Sequence, residues 1–216
     1  MGVVYAAHDE RLDRPVAIKR MHRGGLGDGQ DRQRLWREAR TAASVNHPNV
    51  CQLYEVGEDG DDLFLAMELL EGEPLSARLA RGPLPLSEAG QIALPVLGAL
   101  GALHQKGIVH RDLKPSNIFL SHQIVKLLDF GLARPFVGGV GEGEAALTQP
   151  GVLVGTPRYM APEQLEGHAI DARSDLFALG LVLYEMVAGR PPFGGDSMFE
   201  LARAILHDEP RALGGS

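Results

Sequence analysis

The chain has 216 residues, of which 44% are hydrophobic and 23% charged, and its formal net charge is −7. A chain of this length can bury a sizeable core, in one domain or in two small lobes, and the composition is ordinary for a globular protein. The negative charge argues against a nucleic-acid-binding protein, which would usually be basic, and the single cysteine, Cys51, excludes an internal disulfide.

The N-terminal part of the chain has the pattern of a small β-rich unit with one helix. Its predicted strands are short apolar runs bounded by polar or glycine-rich turns, at residues 2–8, 15–21, 50–57 and 63–68. Between the second and third strands, residues 24–29 form a glycine-rich loop. Residues 31–45 carry apolar side chains at helical spacing among many charges, which predicts a helix.

After residues 71–74 the pattern changes to helices. The predicted helices cover residues 75–81, 87–106, 176–187 and 198–207, and residues 124–128 read as a compact strand. The run at 176–187 is apolar on nearly every side, which predicts a buried central helix. Pro95 lies inside a predicted helix, so we expect a kink or an unsatisfied carbonyl there. Residues 135–150 have little to pack, and we expect them to be mobile.

The change of pattern places a boundary near residue 70, between a unit at 1–70 and a unit at 71–216. Residues 1–10 are polar and charged by position eight, which is unlike a signal peptide. The longest apolar run, 176–188, contains Glu185 and is too short to span a bilayer. We therefore expect a cytoplasmic location and no membrane segment in this chain, although a longer parent protein could carry a tether.

Two short stretches carry the groups needed to move a phosphoryl group to a hydroxyl. Residues 110–117 read His-Arg-Asp-Leu-Lys-Pro-Ser-Asn, and an Asp-Phe-Gly triplet begins at Asp129, twelve residues after Asn117. Asp112 can position the hydroxyl and accept its proton, while Lys114 can neutralise charge on the phosphoryl group. Asn117 and Asp129 offer the hard oxygen ligands that Mg²⁺ prefers. Both stretches in this order and at this spacing are very unlikely to occur by chance.

At these residues the chain resembles the eukaryotic-like protein kinases, in particular the bacterial serine/threonine kinases. Val16-Ala17-Ile18-Lys19 is similar to the strand with the ATP-anchoring lysine, and Ala161-Pro162-Glu163 to the end of the activation segment. Glu38, about twenty residues after Lys19, matches the glutamate that pairs with that lysine. The resemblance implies a two-lobed α+β fold, with a small β-rich N-lobe and a mainly helical C-lobe, and it makes His110 a packed structural residue.

The resemblance also implies an adenine pocket. Its roof would be Val4 and Ala17, its floor Phe119 and its back Met67, and backbone hydrogen bonds would come from Glu68 and Leu70. Simple core packing is the alternative interpretation of the apolar members of this set. The two interpretations are compatible, because ligand pockets are lined largely by apolar side chains.

Three further residues are implied to regulate the site or to orient its groups. By resemblance, Arg111 gathers a phosphate on the activation segment, since arginine–phosphate hydrogen bonds can order a loop. Thr148 is the candidate acceptor of that phosphate, with a plain loop residue as the alternative. Thr156 would bridge Asp112 and Lys114, as in kinases that act on serine or threonine.

The chain departs from the family pattern at both ends. The phosphate-binding loop normally reads G-x-G-x-x-G, and residues 1–4 match only its tail, so the first strand of the N-lobe is expected to be missing. At the other end the family continues beyond Ser216 for several helices, one of which carries an arginine that pairs with the glutamate at the position of Glu163. We therefore expect a fragment with weak nucleotide affinity and an unpaired Glu163.

The function favoured by these residues is protein serine/threonine kinase activity. The cofactors would be ATP and Mg²⁺, with Mn²⁺ as an alternative ion, and the partners would be protein substrates and no nucleic acid. Autophosphorylation of the activation segment is expected. A non-catalytic, kinase-like scaffold module is the alternative, which the intact catalytic set opposes and the missing strand supports. The activation segment argues against a third interpretation, a small-molecule phosphotransferase of related fold.

Overall fold

The computed structural model describes residues 3–21, 36, 39, 41–60, 62–122, 124–129 and 157–214. Within these residues a β-sheet lobe is followed by a mainly helical lobe. The expected loops at 24–29 and 135–150 lie outside the described residues, as do Glu38, Thr148 and Thr156.

The first lobe contains an antiparallel sheet with the strand order β1-β2-β4-β3. Its strands are β1 (Val3–Asp9), β2 (Arg14–Met21), β3 (Leu53–Asp59) and β4 (Asp62–Glu68). Three of them lie close to the predicted positions. The strand predicted at 50–57 begins later, because Val50 pairs in parallel with Leu127 of the other lobe instead.

One helical segment packs against this sheet, where the sequence predicts a helix at 31–45. Residues 36, 39 and 41–43 are helical, and the Nε1 atom of Trp36 donates to Oε1 of Glu58 on β3 at 3.1 Å. Ala39 and Ala42 are buried in the same core as the sheet residues. Small side chains allow the helix to approach the sheet closely at these two positions.

In the second lobe, the residues that the structure describes form a small antiparallel sheet and five helices. Its strands are β5 (Gly72–Pro74), β6 (Ile118–Ser121) and β7 (Val125–Leu127), in that order in the sheet. The helices are α1 (Leu75–Leu79), α2 (Leu86–Gln105), α3 (Pro162–Leu165), α4 (Ala172–Ala188) and α5 (Met198–His207). Short 3₁₀ turns at Pro115–Asn117 and Pro157–Tyr159 complete the lobe.

The core of this lobe is formed where α2 packs against α4. Helix α2 contributes a stripe of fully buried side chains that includes Val96, Leu100 and Leu103. Helix α4 is less enclosed than its apolar sequence predicts. Leu176 and Leu183 are 46% and 36% exposed, so the prediction of burial on nearly every side is wrong for this face.

Helix α2 passes through Pro95 without interruption. Proline leaves the carbonyl four residues earlier without its helical donor, and here that residue is Gln91, which is exposed and can be hydrated. Among the described residues, α2 is also the one helix long and apolar enough to cross a bilayer by length and composition, with a mean hydropathy of 1.4. The buried apolar side chains along α2 pack in the core of the lobe, and a core helix of this kind can be as long and apolar as a membrane-spanning one.

The two sheets are joined by the short segment at residues 49–52. Leu127 on β7 donates its N–H to the carbonyl of Asn49 at 2.8 Å, and its own carbonyl accepts from Cys51 at 2.9 Å. On the other side, the N–H of Glu68 at the end of β4 donates to the carbonyl of Gln52 at 3.0 Å. These bonds fix the end of β4 relative to β7, and Asp129 follows two residues after β7.

Candidate active site

The catalytic loop, residues 110–117, is held by a buried carboxylate from α4. Asp175 is 1% exposed, and its two oxygens accept the N–H groups of His110 at 2.8 Å and Arg111 at 2.9 Å. The Nε2 atom of His104 donates to the same carboxylate at 2.7 Å. Burial of a carboxylate is costly unless it is hydrogen-bonded, and these three donors satisfy Asp175. The start of the loop is therefore anchored to the central helix.

His110 links the catalytic loop to the segment that carries Asp129. Its imidazole is fully buried, and Nε2 donates to the carbonyl of Leu128 at 2.9 Å. Burial lowers the pKa of His110, and this effect outweighs the nearby charge of Asp175, which acts to raise the pKa. The ring is therefore neutral. The N–H of Leu128 in turn donates to the carbonyl of Asn117 at 2.8 Å. His110 thus has the structural place that the resemblance implies, and the bonds to Leu128 hold Asp129 beside the loop.

Three side chains of the loop form one hydrogen-bonded cluster. Lys114 Nζ donates to Oδ2 of Asp112 at 2.8 Å. The amide nitrogen of Asn117 donates to the carbonyl of Asp112 at 2.8 Å and to its Oδ2 at 3.3 Å. The carboxylate of Asp112 is thereby fixed in orientation while remaining partly accessible. Such preorganisation is what a group that positions a reacting hydroxyl needs.

Lys19 and Asp129 meet across the two lobes. The Nζ atom of Lys19 on β2 lies 2.7 Å from Oδ1 of Asp129, and the side chains are 15% and 40% exposed. The backbone of Asp129 has φ 53°, and that of Arg111 has φ 64°, both in the left-handed region that L-residues rarely adopt. Strained backbone of this kind persists where the surroundings impose it and is concentrated at functional sites.

The predicted adenine-pocket residues are on the strands and the connection that border the cleft between the lobes. They are Val4 on β1, Ala17 on β2, Met67 and Glu68 on β4, Leu70 in the connection to β5, and Phe119 on β6. Ala17 and Met67 are direct partners in the β2–β4 register. Val4 is opposite Lys19 in the β1–β2 register and is 56% exposed. Their contact with a nucleotide stays a prediction.

The residues predicted to bind a divalent ion supply two oxygen-bearing groups. The amide nitrogen of Asn117 is held by Asp112, which turns the amide oxygen away from that carboxylate. Among the described residues no group of three or more His, Cys, Asp or Glu side chains could hold a metal. Two such groups suit a divalent ion that completes its shell with phosphate oxygens and water, and the choice of Mg²⁺ stays a prediction.

The end of the activation segment is tied to the catalytic loop. Gln164 accepts from the N–H of Ala161 at 2.9 Å, and its amide nitrogen donates to the carbonyl of Arg111 at 2.9 Å. Glu163, which the sequence led us to expect unpaired, accepts a hydrogen bond from the hydroxyl of Ser174 on α4. This hydroxyl is neutral, so it does not replace the arginine that the family pairs with this glutamate, and the lack of an ionic partner for Glu163 stays a prediction.

A cleft of about 240 Å³ opens beside the catalytic loop, at Pro115. It is lined by Ser76, Leu79, Ala80, Pro115, Tyr159, Glu185 and Gly189. The hydroxyl of Tyr159 donates to Oε2 of Glu185 at 2.6 Å. Burial and this carboxylate both raise the pKa of Tyr159, so the phenol keeps its proton. The cleft is in the helical lobe, away from the Lys19–Asp129 contact.

Sequence motifs identify the catalytic loop and some of the side chains that support it. The resemblance marks Asp175 at the start of the apolar helix and Gln164 just after the Ala-Pro-Glu triplet, but it does not show which groups they bind, and Lys126 was not singled out. One signal was present for Asp175, because an acidic residue inside an apolar helix requires a buried partner. Arg111 is half-buried, and its regulatory role stays a prediction, since Thr148 lies outside the described residues.

A β-sheet lobe and a helical lobe that bring Lys19 and Asp129 together beside the Asp112 cluster define the protein kinase fold. The family model for the protein kinase domain matches residues 1–212, and the chain belongs to this family. Membership implies the use of ATP and a divalent metal ion in general. The predicted two-lobed fold and the resemblance to bacterial serine/threonine kinases are thereby confirmed.

The similar proteins are bacterial kinases. The chain is 43% identical over 214 residues to serine/threonine-protein kinase PknL of Mycobacterium tuberculosis, covering 98% of this chain and 52% of PknL. It is 40% identical over 218 residues to the probable serine/threonine-protein kinase SCO3848 of Streptomyces coelicolor, covering 98% of this chain and 32% of that protein. The chain thus spans about a third to a half of the length of these relatives.

A solved structure has the same fold. The crystal structure of the Mycobacterium tuberculosis PknI kinase domain matches with a TM-score of 0.72 and 31% sequence identity. The match covers 90% of this chain and 71% of the PknI chain.

Proposed function

We propose that this chain is the catalytic part of a bacterial protein kinase that transfers the terminal phosphoryl group of ATP to serine or threonine hydroxyls of proteins. The observation that carries this proposal is the Asp112–Lys114–Asn117 cluster, joined through Leu128 to the Lys19–Asp129 contact. Catalysis of phosphoryl transfer consists largely of positioning and charge stabilisation, and these residues offer both.

Each group has a distinct task in this proposal. ATP and its divalent ion, when bound, supply the phosphoryl group and neutralise part of its charge. Asp112 orients the acceptor hydroxyl and takes its proton late, because the transition state is loose. Lys114, 2.8 Å from the Asp112 carboxylate, stabilises charge that develops on the phosphoryl oxygens. Lys19 holds phosphate oxygens, while Asn117 and Asp129 offer oxygens to the ion.

Substitution of Asp112 tests this proposal. Asp112→Asn keeps the shape of the side chain but removes the proton acceptor, so labelling of protein by radioactive ATP should fall by about 10²-fold or more. The matched control is Asp196→Asn at an exposed position, which should leave labelling unchanged. The assay should use both this chain and the longest natural protein that contains it. Unchanged labelling in Asp112→Asn would remove the role given to Asp112.

Autophosphorylation of the activation segment is part of the proposal. Thr148 is the expected acceptor, and Arg111, next to the catalytic aspartate, is the expected partner of its phosphate. Mass spectrometry of the protein after incubation with Mg-ATP, or with Mn-ATP, would identify the modified residue. Phosphate elsewhere, with none on Thr148, would exclude this threonine as the switch.

A non-catalytic scaffold remains the second candidate function, and the exposed first strand favours it. Val3 and Val4 on β1 are 52% and 56% exposed, which leaves apolar surface open to contact with another protein. A scaffold has no transfer activity of its own. Any phosphorylation measured in its presence would therefore be the same with Asp112 or with asparagine at that position. The Asp112→Asn comparison therefore separates the two functions.

We further propose that the chain works in the reducing environment of the cytoplasm. The single cysteine, Cys51, is a free thiol, and a chain without disulfides fits a reducing compartment. Fractionation of cells that express the natural protein would test this. Recovery of the catalytic part outside the cytoplasm would contradict it.

A further inference from the structure

Lys126 is a buried charge that the proposed chemistry does not use. Its side chain is 11% exposed, and its Nζ atom lies 2.7 Å from Oε2 of Glu68, whose side chain is 26% exposed. Burial of an ammonium group is costly unless it is paired, so this arrangement persists only while the pair is intact. Lys126 is on β7 and Glu68 is at the end of β4, so the pair connects the two sheets.

A second group, from residues 49–52, also binds the carboxylate of Glu68. Its Oε2 accepts the N–H of Gln52 at 3.3 Å, and the N–H of Glu68 donates to the carbonyl of Gln52 at 3.0 Å. The thiol of Cys51 lies 3.8 Å from the carbonyl of Glu68. Residues 51 and 52 and strand β7 thus all contact one residue, Glu68, at the end of β4.

This convergence occurs where the base of a nucleotide is expected to bind. Lys126 is the direct partner of Phe119 in the β6–β7 register, and directly opposite residues project to the same face of a sheet. Phe119 is the predicted floor of the adenine pocket, and the backbone of Glu68 is predicted to bind the base. The pair therefore connects the floor of this pocket to the strand that borders it.

We propose that Lys126 and Glu68 form a positioning pair that sets the distance between the end of β4 and Phe119, and so determines affinity for the base. The inference rests on the proposed function. Without the ammonium group, the Glu68 carboxylate loses its ionic partner, and the end of β4 is free to shift relative to β6. Lys19 and Asp112 keep their own partners, so binding of the phosphates and the transfer step are unaffected.

The test measures affinity for the base and affinity for the phosphates separately. Calorimetric titration would use adenosine, inorganic tripolyphosphate with Mg²⁺, and Mg-ATP. Lys126→Met should weaken adenosine and Mg-ATP by the same factor, about five-fold or more, and leave tripolyphosphate within about two-fold. In a kinase assay the KM for ATP should rise by that factor, while kcat changes by less than about two-fold.

Two further variants provide the controls. Lys106→Met removes an exposed lysine just after α2 and should change none of these values. The double variant Lys126→Met with Glu68→Gln leaves no unpaired charge, so adenosine affinity should return to within about two-fold of the original. Equal losses for adenosine and tripolyphosphate, or no rescue by the second substitution, would overturn the proposal.

Hydrogen exchange of the free chain tests the coupling between Lys126 and Glu68 without any nucleotide. In Lys126→Met, peptides covering residues 66–70 and 125–129 should both exchange about five-fold faster than in Lys106→Met, and the double variant should reverse this. Unchanged exchange in either segment would refute the coupling. If the original chain binds none of the three probes, the proposed function fails for this chain, and the exchange result still decides the role of the pair.

Discussion

Asp175 orients the catalytic loop through hydrogen bonds to two successive backbone N–H groups. In Asp175→Asn the amide has one acceptor oxygen for these donors, and its NH₂ group faces N–H groups that it cannot bind. We expect the free energy of unfolding to fall by about 3 kcal/mol, the cost of breaking a buried charged network. Urea denaturation would measure it, with Asp196→Asn as the exposed control. A loss below about 1 kcal/mol would mean that water replaces the carboxylate.

His110 predicts how stability depends on pH. Its pKa is lowered by burial from the ordinary value of 6.5, so below that pH the unfolded chain binds a proton that the folded chain does not. Stability therefore rises with pH in this range and falls on acidification below 6.5. The loss approaches about 1.4 kcal/mol per pH unit, measurable by urea unfolding between pH 7.5 and 5.5. The slope should largely disappear in His110→Gln, and an equal slope there would assign it to other groups.

At the scale of elements, two glycines predict opposite effects of the same substitution. A Cβ at Gly101 in α2 would meet no heavy atom within 4 Å, so Gly101→Ala should raise the free energy of unfolding by about 1 kcal/mol. Gly189 ends α4 with φ 66°, and a Cβ there would lie 3.1 Å from Pro83. Gly189→Ala should therefore lower stability by about 1–2 kcal/mol. Thermal unfolding of both variants would check this, and a change of the same sign in both would contradict it.

Local sequence patterns predict where helices and strands lie better than they predict which elements pack or pair with one another. The helix predicted at residues 198–207 is α5 (Met198–His207), and the structure shows Ser197 and Glu200 forming a capping box at its start. The strand predicted at 50–57 was displaced, because alternation of side chains does not reveal that Val50 pairs with Leu127. For the same reason the motif residues of the site were identifiable from spacing, whereas the contact between Lys126 and Glu68 was not.

For the whole molecule, the contact between Lys19 and Asp129 predicts weak binding of nucleotide. These side chains already hold one another at 2.7 Å across the two lobes, and a bound nucleotide with its ion would compete with this contact. We expect 1 mM Mg-ATP to stabilise the chain by about 1 kcal/mol or less in a thermal-shift titration. The matched measurement uses Lys19→Met, which should remove even this small shift. Half-maximal stabilisation at micromolar ATP would contradict this expectation.

The outer side of β1 also has a consequence for how the protein behaves at high concentration. In the described part of the chain, β1 is at the edge of its sheet and carries exposed Val3, Val4 and Tyr5. Unpaired backbone groups beside apolar side chains form a template on which another extended segment can add. Purified samples should therefore remain monodisperse only when dilute, and a charged residue on the outward face of this strand would improve their solubility.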